Sequence, residues 1–226
     1  MKPLILVAAF AMISTAVPVS AQTVKLKTTP FPDGTGSIGL APGWHIDNAY
    51  RGAVGCVGPN GAVVILKLPY VILRPESGVA QLPGAAQQPI ARAGDIVGAL
   101  RALLAKNGGV LGKVRGKRLA SLDSGAPAYL LHYEFKQNGK AWTAIGYFAT
   151  LDYGPDQPMW QLYSSAVAAP TAQFAKTAPA MLAMWKSWRP NGNKPGEGSS
   201  SAVFDEILKD RKASYEEIQK KFREQL

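Results

Sequence analysis

The chain has 226 residues, of which 47% are hydrophobic and 18% are charged, and its formal net charge is +10. This apolar content is that of a globular protein and argues against wholesale disorder. The single cysteine, Cys56, excludes an intramolecular disulfide, and the basic balance predicts attraction to anionic groups such as phospholipid head groups, polyanions or acidic proteins.

The first 21 residues have the layout of a secretory signal peptide. Lys2 gives a basic start, an apolar run extends over 4–17, and Ala21 ends a small-residue cleavage pattern before Gln22. The run is shorter than the roughly 20 apolar residues of a membrane-spanning helix, and no Cys follows the site for lipid attachment. We therefore expect an exported protein, periplasmic or secreted, whose mature chain has no transmembrane segment.

The segment 22–189 is predicted to be the folded body. It holds 17 Lys and Arg against 8 Asp and Glu, a net charge of +9, whereas 190–226 holds seven of each. A basic body of this kind is drawn to anionic surfaces, although many exported bacterial proteins are basic without using their charge for binding.

The first half of the body predicts short strands separated by turns. Apolar segments between 24 and 68 alternate with Gly- and Pro-containing turns. Asn60-Gly61 supplies the positive φ angles of a type I′ hairpin turn, and a two-residue turn there places Cys56 opposite Ile65. We therefore expect Cys56 to be a buried structural thiol rather than a reactive one.

The second half predicts helix, strands and helix in that order. A loop over 69–89 carries four prolines, and a helix is predicted over 95–107 from the spacing of its apolar residues. A strand is predicted over 113–121, a second hairpin turns at Asn138-Gly139, and a last strand covers 159–168. A two-residue turn in the second hairpin pairs Phe135 with Trp142, Tyr133 with Ala144, Leu131 with Gly146, and Tyr129 with Phe148.

The closing helix is predicted over 171–188, with a break near Thr177 because Pro179 lacks a backbone N–H. The predicted fold class is α+β: a largely antiparallel sheet with helices packed on one face, plus a C-terminal helical tail. The segment 190–201 is a flexible linker by composition, and 202–226 is an amphipathic helical tail. The tail's apolar stripe is a candidate for self-association or for capture of a partner; it consists of Phe204, Leu208, Tyr215, Ile218 and Phe222.

The segment Thr35-Gly36-Ser37-Ile38-Gly39-Leu40-Ala41-Pro42-Gly43-Trp44 resembles the strand and turn that open the PsbP-like fold, named for a photosystem II extrinsic subunit and shared with the Ran-binding Mog protein. The order of the later elements agrees over about residues 23–189. Proteins of this fold are mostly not enzymes, so the resemblance implies a binding or assembly role. It carries over no functional residue, and the tail lies outside it.

The sharpest charge feature is Lys113-Val114-Arg115-Gly116-Lys117-Arg118. In an extended strand Lys113, Arg115 and Lys117 share one face at intervals of about 6.5–7 Å, which suits an anionic partner. The alternative is an edge strand whose cations prevent aggregation. Because no aromatic residues interleave with the cations, single-stranded nucleic acid is not favoured.

Catalytic and cofactor signals are weak. Gly34-x-Gly36-x-x-Gly39 matches a dinucleotide fingerprint as a string, but the following Pro42 forbids the helix that would hold the phosphates. The sequence predicts no cofactor and no metal site. We therefore expect a non-enzymatic exported protein of the bacterial envelope that binds an envelope protein or an anionic surface.

Two alternatives remain open. One is a hydrolase-like enzyme that uses a site around His132 and Glu134, which share one strand face, or around Cys56. The other is a carrier of a small apolar ligand, which predicts a long dry cavity between helix and sheet.

Overall fold

The computed structural model describes residues 24–119 and 127–191, with Lys117 described by its backbone pairing alone. Ten strands and two α-helices make up this part of the chain. The strands are β1 (Lys27–Pro30), β2 (Gly36–Leu40), β3 (His45–Tyr50), β4 (Ala53–Val57), β5 (Val63–Leu73), β6 (Gly109–Arg118), β7 (Ala128–Gln137), β8 (Lys140–Asp152), β9 (Met159–Pro170) and β10 (Arg189–Pro190). The helices are α1 (Ile96–Lys106) and α2 (Thr171–Ser187).

The strands form two antiparallel sheets. The large sheet has the order β3-β4-β5-β9-β8-β7-β6, and the small sheet has the order β1-β2-β10. Every strand pairing in both sheets is antiparallel. The predicted α+β class with a largely antiparallel sheet is therefore confirmed.

The two helices cover opposite faces of the large sheet, not one face as the sequence predicts. In β8, Ile145 and Tyr147 share a core cluster with α2, whereas Ala144 and Phe148 share one with α1. Successive strand residues point to opposite faces, so the two clusters lie on the two sides of the sheet, here called the α1 face and the α2 face. The physical reason is that residues 143–150 of β8 are all buried. A strand whose two faces are both apolar needs a covering layer on each side of the sheet.

The hairpin at Asn138-Gly139 has the predicted register, including Phe135 opposite Trp142 and Tyr133 opposite Ala144. Asn138 has φ 51° and Gly139 has φ 75°, so both adopt the left-handed conformation that a type I′ turn requires.

The hairpin at Asn60-Gly61 differs from the prediction by one residue. Cys56 pairs with Val64, not with Ile65. A two-residue turn would need a backbone N–H from Pro59, which proline lacks. The loop is closed instead by the backbone N–H of Gly58, which donates to the carbonyl of Ala62 at 2.8 Å.

The closing helix α2 runs unbroken through Pro179, so the predicted break near Thr177 is wrong. Side chains before and after the proline, such as Phe174 and Met181, are buried in the α2-face core. Packing of this apolar side offsets the hydrogen bond that proline removes. Trp188 follows the helix and is also buried, and its indole Nε1–H donates to the carbonyl of Gly52 at 3.2 Å.

Candidate functional site

Strand β6 carries the predicted cationic residues, and it is the outermost strand at one end of the large sheet within the described residues. Its inner edge pairs with β7, with a bulge between Leu111 and Val114. Arg115 pairs with His132 and Lys117 pairs with Leu130, so both positions lie on the α2 face. Lys113 lies in the bulge, and Arg118 lies on the α1 face opposite Tyr129. We call Lys113, Arg115, Lys117 and Arg118 the basic edge.

The backbone beside these cations offers hydrogen-bonding groups to an incoming chain. The N–H of Leu119 donates to the carbonyl of Ala128 at 2.8 Å, which marks these two residues as a hydrogen-bonded pair. Hydrogen-bonded and non-hydrogen-bonded pairs alternate along antiparallel strands. The N–H and C=O groups of Val114, Gly116 and Arg118 therefore point away from β7, toward the side of β6 where no described strand lies.

The charges around the basic edge are mostly positive. The side chains of Lys113, Arg115 and Arg118 are exposed, and the ion pairs recorded among the described residues involve none of them. Lys136 of β7 is also exposed and pairs in register with Val110. Glu134, exposed on β7 opposite the bulge, is the neighbouring acid.

The sequence prediction did not include Lys136. Its position could nonetheless have been predicted from the sequence, because residues 132, 134 and 136 occupy alternate positions of β7 and therefore share one face. Lys136 extends the cationic surface from β6 onto β7, beside the α2 face.

The enzyme alternative has its candidate residues in two separate places on the large sheet. His132 and Glu134 lie two residues apart on β7, with His132 half-buried and Glu134 exposed. Cys56 lies on β4, which is separated from β7 by β5, β9 and β8. Four strand spacings of about 4.8 Å place the two strands roughly 19 Å apart, too far for a cysteine and a histidine to form a nucleophile–base pair.

Cys56 is a buried free thiol, with 1% of its surface exposed. It lies in the α2-face core together with Val54, Val64 and Leu66. Burial raises the pKa of the Cys56 thiol from 9.0 to about 12. Because the thiolate is the reactive form, this environment is that of a structural cysteine.

One cavity of about 500 Å³ lies beside the small sheet. It is lined by Lys25, Leu26, Lys27, Thr29, Leu40, Ala41, Pro42, Gly43 and Trp44. The carrier alternative predicts a cavity between helix and sheet, whereas this cavity opens between β1 and the turn that joins β2 to β3.

No group of three or more His, Cys, Asp or Glu side chains within 24–119 and 127–191 is arranged to hold a metal ion. In the same ranges, neither helix is both long and apolar enough to cross a bilayer. The tail residues Phe204, Leu208, Tyr215, Ile218 and Phe222 lie outside the described residues, so their interaction role stays a prediction.

Comparison with known proteins finds no matching family model and no matching curated protein. Among solved structures, the chain is similar to cyanobacterial PsbP (CyanoP) from Synechocystis sp. PCC 6803. That match has a TM-score of 0.37 and 9% identity, and it covers 79% of this chain and 98% of the other. A second similar structure is LpqN, involved in cell envelope biogenesis of Mycobacterium tuberculosis, with a TM-score of 0.33, 13% identity, and coverage of 75% and 93%.

The weak resemblance to the PsbP-like fold is therefore found in structure as well as in sequence. At these TM-scores and identities, the two similarities assign no function to this chain.

Proposed function

We propose that the protein is exported and binds an acidic segment of an envelope protein along the basic edge. The proposal of export rests on the signal-peptide layout of residues 1–21, and the net charge of +9 over 22–189 supports an acidic partner. The observation that carries the binding proposal is the position of the basic residues on the outermost strand β6.

The edge of β6, which pairs with no further strand among the described residues, favours a polypeptide partner over an anionic surface. Lys113 and Arg115 attract acidic groups. The outward N–H groups of Val114, Gly116 and Arg118 can donate hydrogen bonds to a neighbouring strand, and their C=O groups can accept them. Strand addition of this kind obtains affinity from main-chain hydrogen bonds and specificity from side chains. A phospholipid or polysaccharide surface would be attracted by the charge of the cations but could not add a strand to β6.

The partner's segment is expected to be short and extended. The bulge between Leu111 and Val114 interrupts the regular edge, so regular pairing is confined to about 114–118 on this strand. Acidic side chains at alternate positions of the partner would meet Arg115 on the α2 face. The opposite face of the partner would meet Val114 and Arg118.

The test is titration of the purified chain with a fluorescent oligo-glutamate peptide at low salt. Lys113→Glu with Arg115→Glu is expected to weaken binding by about tenfold, because each reversal replaces an attraction with a repulsion. The matched control is Arg92→Glu with Lys176→Glu, since these side chains are also exposed and lie outside β6 and β7. Equal losses in the two variants would contradict a site at the basic edge.

A second peptide separates strand addition from attraction by charge. An N-methylated oligo-glutamate of the same length keeps its carboxylates and loses the backbone N–H groups that pair with a strand. We expect it to bind more weakly than the unmodified peptide. Equal affinity for the two peptides would favour the anionic-surface alternative.

A further inference from the structure

The cavity beside the small sheet, here called the β1 cavity, is a second site that is separate from the basic edge. Its volume of about 500 Å³ falls in the range of pockets that hold small molecules. One wall is formed by 25–27 and Thr29, which include the start of β1, and the other by 40–44, which include the end of β2.

The local sequence explains why the segment before β1 and the segment after β2 separate here. Pairing between β1 and β2 ends at Lys27 and Leu40. Ala41-Pro42-Gly43 then turns β2 away: Gly43 has φ 78°, and the N–H of Trp44 donates to the carbonyl of Ala41 at 3.1 Å. Residues 24–26, before β1, pair with no strand in the part of the chain that the structure describes, so a gap opens between this segment and the turn after β2.

The floor of the β1 cavity belongs to the packed core. Trp44 is 8% exposed and Ala41 is 5% exposed, and both are members of the α2-face cluster. The indole of Trp44 lies against the backbone of Gly58, where a Cβ would approach Trp44 Cε2 to 2.3 Å. Leu26 and Leu40 are only half-buried, so apolar surface remains available to a ligand.

The cavity is apolar inside and cationic on one side. Lys25 and Lys27 line it and are both exposed, and Lys27 shares a strand face with Leu40, its cross-strand partner. No acidic residue is present among the nine that line the cavity. The ion pairs recorded among the described residues are formed by Arg74, so neither lysine is neutralised there.

We propose that the β1 cavity binds a free single-chain anionic amphiphile, such as a fatty acid. The apolar chain lies against Leu26, Leu40 and Trp44, and the carboxylate lies between the ammonium groups of Lys25 and Lys27. Apolar pockets with a few convergent polar groups are typical of small-molecule sites. This site shares no residue with the basic edge, so each can fail without the other.

A free amphiphile suits the cavity better than a membrane surface. Burial of an acyl chain is favourable for each CH₂ removed from water, and only a chain that enters the cavity obtains this gain from Leu26, Leu40 and Trp44. A bilayer already buries its own chains, so it would contribute only attraction between its head groups and the two lysines.

The experiment is calorimetric titration of the purified full chain with dodecanoate below its micellar concentration. Saturable binding of one dodecanoate per chain is expected, with no comparable binding of dodecyltrimethylammonium. Lys25→Ala with Lys27→Ala is expected to weaken dodecanoate about tenfold and to leave dodecanol nearly unchanged, because only the charged ligand loses its counter-charge. The matched control, Lys106→Ala with Lys140→Ala, removes two exposed cations that do not line the cavity.

Two further measurements locate the ligand. The change in tryptophan fluorescence on binding is expected to disappear in Trp44→Phe, and Leu40→Trp is expected to abolish binding by filling the cavity. Absence of saturable binding, equal weakening by both lysine pairs, or binding only to anionic phosphatidylglycerol vesicles would overturn the proposal. Because Lys25 and Lys27 are exposed, their replacement tests the site even where Leu40→Trp impairs folding.

Discussion

Arg115 on β6 is the cross-strand partner of His132 on β7, and both side chains therefore project from the α2 face of the large sheet. The pairing shows how the cations at 113–118 come to lie on the surface at one end of the large sheet. Arg115 is exposed at the end of the sheet while His132 is half-buried one strand further in. The cations therefore lie at the rim, where a partner can reach both their side chains and the outward backbone of β6.

The first prediction concerns the other role that these cations can have, which is protection of the edge. Lys113→Val with Arg115→Val is expected to increase aggregation, because it leaves outward N–H and C=O groups beside β-branched apolar side chains. The measurement is light scattering over time at several protein concentrations. Lys113→Glu with Arg115→Glu is the control, since it removes the same positive charges and keeps the edge charged.

If the valine variant stays as soluble as the glutamate variant, protection is not a role of the basic edge. If only the valine variant aggregates, protection of the edge is one role of these cations. The peptide titrations then measure the binding role separately, because the glutamate variant remains soluble enough for them.

The second prediction concerns the contact between Trp44 and Gly58. Gly58→Ala is expected to lower the free energy of unfolding by about 1–3 kcal/mol, because its Cβ would overlap the indole and force repacking. The close approach of 2.3 Å is to ring carbon Cε2, which lies in a buried side chain that cannot rotate away freely. Urea unfolding measures the change.

Gly78→Ala is the control for that substitution. A Cβ at Gly78 meets no heavy atom within 4 Å, so the variant is expected to unfold like the wild type. A Gly58→Ala chain as stable as Gly78→Ala would mean that Trp44 is not fixed in the floor of the β1 cavity.

The two Asn-Gly hairpins show how far the sequence predicts the fold. Asn138-Gly139 sets the β7–β8 register as expected, because its flanking residues can both donate backbone hydrogen bonds. Asn60-Gly61 follows Pro59, which has no N–H to donate, and the register shifts by one residue. The same dipeptide therefore gives different registers according to the residue before it.

The placement of the helices and of the basic edge depended on contacts distant in sequence. Residues 143–150 form an almost continuous apolar run, which indicates a strand buried on both faces but does not say which helix covers which face. The cations of β6 were evident from the sequence, but the position of β6 at the end of the sheet depends on the order of seven strands. The β1 cavity was not predicted, because it arises where β1 and β2 separate.

The third prediction concerns pH and Cys56. Burial raises the pKa of this thiol from 9.0 to about 12 in the folded chain. Above pH 9.0 the unfolded chain therefore loses the proton more readily than the folded chain does, so the free energy of unfolding falls as pH rises toward about 12. Ionisation of this one thiol lowers the free energy of unfolding by at most about 1.4 kcal/mol for each pH unit.

Cys56→Ala is expected to flatten this alkaline slope, whatever its effect on stability at neutral pH. Urea unfolding of both chains below and above pH 9.0 measures the difference in slope. Burial also raises the pKa of Tyr70 and Tyr133, but both tyrosines are present in both chains and cancel in the comparison. Parallel curves for the two chains would show that the Cys56 thiol ionises in the folded state as readily as in the unfolded state.

The most direct test of the binding proposal is residue-level mapping of the surface that an acidic peptide contacts. Backbone amide chemical shifts are recorded as oligo-glutamate is added to the purified chain. The proposal predicts the largest changes at 113–118 on β6 and at Lys136 on β7, with little change along α2. Changes centred on Lys25 and Lys27, or spread evenly over exposed cations, would contradict a binding site at the basic edge.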